Sequence, residues 1–149
     1  MTMPSSPQLA EEHAGGRIQL VGAHTVGAAD GGRGLPVTGW SLEHGDLRIA
    51  HFIGMHGLQV LPLFAWWIAR RRAPASERTQ RNLIFAAATS YLALFGLVLW
   101  QAFRGQSIAQ PDGLTLESFA VWLVGTAIAV VVISGKQITH TFKTKEGIS

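Results

Sequence analysis

Cysteine is absent from the 149 residues, which removes structural disulfides, thiolate nucleophiles and Cys-ligated zinc or iron–sulfur centres together. Charge is scarce too. Only 14% of residues are Asp, Glu, Lys or Arg, against roughly 25% in a soluble domain, while 48% are hydrophobic and the mean hydropathy is +0.24. Long apolar runs are missing only from residues 1–48, so the rest of the chain is far more apolar than its average and cannot be disordered. Residues 1–48 also lack a basic stretch leading into an apolar one, so no signal peptide is expected and export of this segment falls to a later helix. A pI near 10.0 would suit a nucleic-acid binder, but the net charge is only +3 and the Arg residues crowd into one short segment. The basic residues follow a membrane logic instead.

Three segments reach the roughly 20 residues needed to cross a hydrocarbon core: Ile49 to Ala69, Leu83 to Phe103 and Leu116 to Ser134. The second has no formal charge and the third only Glu117, at its start. A soluble all-α bundle would need polar faces that these segments do not have. Pro62, Gly96 and Gly125 are tolerable in lipid, where neighbouring helices satisfy freed backbone groups. The expected fold is therefore all-α and polytopic, a bundle of three transmembrane helices after an irregular extracytoplasmic segment. Its divisions are 1–48, with 1–16 disordered, then 49–134 in the membrane, then 135–149 as a cytoplasmic tail.

Orientation follows from Lys and Arg in the connections. Arg70, Arg71, Arg72, Arg78 and Arg81 with Lys136, Lys143 and Lys145 make eight on one side; Arg17, Arg33, Arg48 and Arg104 make four on the other. The side with eight is read as cytoplasmic, which places the N-terminus outside and the C-terminus inside a bacterial inner membrane. Trp66 and Trp67 at the inner interface, and Trp100 and Trp122 toward the outer ends, fit the aromatic belts.

The first segment holds the informative polar residues. Advancing about 100° per residue from His51 brings Met55, Gln59 and His56 onto one broad face, with Ala50, Gly54 and Gly57 opposite. The small residues suit close approach by another helix backbone, and the polar face should meet a protein partner or water. Ile53, Val60, Phe64 and Trp67 are expected toward lipid, making this the central helix of a bundle. Two intramembrane His with a Gln raise the prospect of a proton relay, a haem or a metal site. His51 and His56 are five apart, however, and miss the i, i+4 spacing that aims two ligands at one ion. The interiors of the other two segments contain no His, Asp or Glu, so a bis-His haem would lack its second ligand. His51 with Met55 is an i, i+4 pair of the kind that suits Cu(I). The plainer reading has these His hydrogen-bonded across helices, with His56, deeper in the membrane, neutral and bonded near Gln59.

Upstream, His24, Asp30, Trp40, Asp46 and Arg48 lie in a segment rich in Gly and Pro, read as an ordered outer cap with Trp40 near the headgroups. It has no Gly-Lys-Ser/Thr and no strand–turn–helix pattern, so it is not a phosphate loop.

His-Thr-Val-Gly from His24, Asp30-Gly-Gly-x-Gly-Leu-Pro36, Gly39-Trp40-Ser41, and Gly45-Asp-Leu-Arg-Ile-Ala-His-Phe-x-Gly-x-His-x-Leu-Gln-Val-Leu-Pro62 together resemble the signature of a family of uncharacterised bacterial integral membrane proteins. Arg104-Gly-Gln, Pro111-Asp and Leu114-Thr are similar to its later part, so the likeness covers most of residues 20–134. Ala28, Ala29 and Arg33 depart from it. The resemblance implies further transmembrane helices before His24, and hence that this chain is a shortened form; it implies no activity.

Three classes of function remain: a non-catalytic membrane component that packs with other helices, its own or a partner's; a haem- or metal-binding redox protein using His51, Met55 and His56; and a small transporter or proton-conducting subunit lined by His56 and Gln59. No cofactor is expected on the first reading, and no nucleic acid on any. Hydrolytic chemistry is not indicated, since the membrane portion holds no Ser/His/Asp set, HExxH or paired carboxylates.

Overall fold

The computed structural model describes residues 10, 13–14, 24–28, 33–70 and 76–146, with side chains through 135. It is mostly helical: α1 spans Leu47–Ala69, α2 Glu77–Phe103 and α3 Gly113–Glu146, preceded by a two-stranded sheet of β1 (Thr25–Val26) and β2 (Gly45–Asp46). Leu47–Ala69, Glu77–Phe103 and Gly113–Gly135 are each long and apolar enough to cross a membrane, the architecture of a multi-pass membrane protein. All three helices begin earlier than hydropathy alone indicates, α1 at Leu47, α2 taking in the polar turn from Glu77 and α3 starting at Gly113, and α3 stays helical to Glu146. Ser76 explains the start of α2: its Oγ accepts the Thr79 N–H at 3.3 Å, an N-cap.

The chain divides into two compact units, residues 1–51 with 98–113 and residues 52–97 with 114–149. In the first, β1 pairs antiparallel with β2, Thr25 opposite Asp46 and Val26 opposite Gly45, and a further bridge joins Gly34 to Ser41. Around this lies a small core of Ile49, Ala50, Val98 and Ala102. Gly45 is obligatory here, because a Cβ would sit 2.0 Å from the Ala102 carbonyl oxygen. α2 ends in a Schellman motif: the Gly105 N–H bonds the Ala102 carbonyl and the Gln106 N–H that of Gln101, with Gly105 at φ +72.

In the second unit, α2 supplies contacts to both other helices. The Tyr91 hydroxyl donates to the Ile53 carbonyl of α1 at 2.6 Å. On α3, the Trp122 indole N–H donates to the Ser90 carbonyl at 2.9 Å, and the Ser90 and Thr126 hydroxyls bond at 2.8 Å. Within this unit α2 thus bonds to both other helices, through its own Tyr91 hydroxyl toward α1 and through Trp122 and Thr126 of α3.

Candidate functional site

Two groups of residues stand out, one in each unit. In the first, Asp46 lies directly before α1 with 1% of its surface exposed. Its Oδ1 accepts the Arg48 N–H at 3.0 Å, the N-cap bond to the second helical residue. Its Oδ2 accepts the Ser41 N–H at 2.9 Å and pairs with the Arg48 guanidinium at 2.6 Å, which also donates to the Gly39 carbonyl at 2.7 Å. Burial alone would raise the Asp46 carboxyl. The Arg48 hydrogen bonds, the two backbone N–H groups and the Arg48 charge outweigh it and hold the group below its ordinary value.

Ser41 extends this network. Its Oγ accepts the His44 N–H, and its carbonyl accepts the Ser107 hydroxyl at 2.9 Å; the Ser107 carbonyl in turn accepts the Gln101 amide at 3.0 Å. Gln101 and Ser107 are each 2% exposed, and sequence reasoning missed both. The adjacent Gly45-Asp46-Leu47-Arg48 does carry a legible signal, Asp one residue before an apolar helix. His24 takes part through its backbone, its carbonyl accepting the Leu47 N–H, and Trp40 is half-buried with its carbonyl bonded to the Leu35 N–H. Asp30 lies outside the described residues. Every polar group of this network is engaged in holding the turns together, so it is a structural centre for these loops.

In the second unit, α1 presents two contrasting faces. A Cβ on Gly54 would lie 3.1 Å from Cε2 of Phe95, and one on Gly57 2.9 Å from Cε1 of Tyr91; what approaches them are aromatic rings of α2, where a backbone was expected. Ile53 and Phe64, expected toward lipid, are half-buried, whereas Val60 and Trp67 are exposed. Helical periodicity places all four on one side, and the Tyr91 hydroxyl draws Ile53 inward through its carbonyl. In the first unit, Ala50 is buried and His51 exposed.

Met55 and Gln59 are exposed. His56 is half-buried: its Nδ1 donates to the Phe52 carbonyl at 2.8 Å and its ring lies 3.9 Å from that of Phe52. A carbonyl only accepts, so Nδ1 is the donor of this bond. The bond expected with Gln59 is replaced by one to the backbone carbonyl of Phe52, one turn back on the same helix. Among the described residues, no three His, Cys, Asp or Glu gather as a metal site would require.

Comparison of the chain with protein-family models, with curated proteins and with solved structures gives no match.

Proposed function

We propose that this chain is a non-catalytic, multi-pass component of a bacterial inner membrane whose work is helix packing and partner binding, with its N-terminus outside and its C-terminus cytoplasmic. Membership in the family with the His24-to-Pro62 signature is part of this reading. One observation carries it: halfway along α1, the Gln59 amide lies on a surface that none of the described helices covers. A polar group at that depth is retained where another protein surface meets it.

The reading is tested by photo-crosslinking in intact cells, with a photoreactive residue in place of Leu58 on α1 or Leu123 on α3. Leu58 is expected to give discrete protein adducts and Leu123 lipid-phase labelling; lipid-phase labelling from both overturns the reading. Reporter fusions at Arg78 and Asp112 test the orientation, the first reporting the cytoplasm and the second the outside. Both reporting one side would refute it.

A further inference from the structure

Phe52, Met55, Gln59, Pro62, Trp66 and Ala69 are all exposed, and their spacing of 3, 4, 3, 4 and 3 is the heptad pattern of a helix–helix seam. Gln59 stands at its middle, about 18 Å from the start of α1 and about 15 Å from its end at 1.5 Å per residue. Its amide makes no hydrogen bond to any described residue. Beside it, Pro62 has no N–H, so the Leu58 carbonyl loses the donor it would have one turn on. Leu58 is itself 78% exposed. One stretch of helix surface therefore carries a spare donor pair, the Gln59 NH2, and a spare acceptor, the Gln59 Oε1, beside a Leu58 carbonyl whose α-helical donor Pro62 removes. Lipid chains can satisfy none of them.

From this juxtaposition we propose that α1 pairs with α1 of a second copy of the chain along the seam from Phe52 to Ala69, the Gln59 amide of each copy donating to the Leu58 or Gln59 carbonyl oxygen of the other. The observation that selects a second copy is self-complementarity. A surface with donor and acceptor side by side is completed by itself under two-fold symmetry, each bond being made twice. A single polar residue inside an apolar seam also fixes the register of the pairing. The proposal rests on the partner-binding reading above and names the partner.

The absence of cysteine makes the test direct. Full-length chains carrying Met55→Cys or, as control, Leu123→Cys are oxidised in native membranes with copper–phenanthroline. The expected result is a disulfide-linked product at twice 16.0 kDa from Met55→Cys in clear excess over Leu123→Cys. Adding Gln59→Leu should lower that product about fivefold or more, the scale of one to two interhelical hydrogen bonds. Photobleaching of the labelled, cysteine-free chain in dilute liposomes should show two steps, reverting to one with Gln59→Leu. Equal products from both cysteines together with single-step bleaching overturn the proposal. In that event, photo-adducts from Leu58 to a different protein leave the partner-binding reading standing, and no adduct from Leu58 removes that reading too.

Discussion

Gly57 and Tyr91 fit together so closely that a Cβ on the glycine would lie 2.9 Å from the ring, and the same Tyr91 hydroxyl is anchored one turn away on the Ile53 carbonyl at 2.6 Å. The hydrogen bond fixes the ring, and the missing side chain makes room for it. Gly57→Leu and Gly54→Leu should therefore each cost about 1–3 kcal/mol by overpacking, more than Val60→Leu on an exposed position. Tyr91→Phe should cost about 0.6–1.7 kcal/mol for the bond alone. Unfolding titrations in mixed micelles measure all four; equal, small changes would show that this contact does not hold α1 to α2.

Asp46 gives the loops around the start of α1 a pH dependence. Its carboxyl is held below the ordinary 3.8 by Arg48 and two backbone N–H groups despite burial, so the folded state binds this proton less tightly than the unfolded one. The resulting stabilisation is complete above that ordinary value and is lost as pH falls through the lowered folded one. Trp40 fluorescence followed in acid should show the first unit loosening at lower pH than an ordinary carboxyl titrates. Asp46→Asn should be less stable at neutral pH and lack this acid-dependent loss; an unchanged acid transition in the variant would assign it to another group.

Val37 is strained by its place in a tight turn. It is a β-branched residue at φ +75, and the Thr38 N–H bonds the Pro36 carbonyl across it at 3.0 Å, the hydrogen bond of a γ-turn in its rare positive-φ form. The side chain is fully exposed, so packing does not compensate. Val37→Gly should stabilise the first unit by about 1–2 kcal/mol, the cost of left-handed backbone for an L-residue. A lower melting temperature for Val37→Gly would show that the side chain makes a contact worth more than its strain.

The three spans were legible because their signal is cumulative: about twenty apolar residues in a row leave no other solution in so short a chain. The glycine face of α1 was legible for a similar reason, since 3.6-residue periodicity alone groups Gly54 with Gly57. What fills that face was not, because nothing in the spacing of Tyr91 or Phe95 reveals which helix they turn toward. The buried Gln101–Ser107–Ser41 chain was hidden by its sequence separation, with Ser107 and Ser41 66 positions apart. A Gln near the end of an apolar segment reads as an interface residue until the loop that covers it is known. By sequence Pro62 is a tolerated interruption, and its consequence for the Leu58 carbonyl emerges only with the exposure of that face.

The two intramembrane histidines separate on geometry. His56 is half-buried, its Nδ1 2.8 Å from the Phe52 carbonyl and its ring tilted by 33° against that of Phe52, so replacing it removes both a hydrogen bond and a ring contact. His51 is exposed. His56→Ala should therefore destabilise the protein by about 1–2 kcal/mol, combining one hydrogen bond with part of an aromatic contact, and His51→Ala by less. His56→Phe should restore the ring contact and recover part of the loss, which separates stacking from hydrogen bonding. Thermal unfolding in detergent, with absorbance in the haem region and metal content measured on the same samples, makes the comparison complete. If His56→Ala leaves stability untouched and instead abolishes a bound haem or metal, the residue is a ligand and its bond to the Phe52 carbonyl serves to orient it.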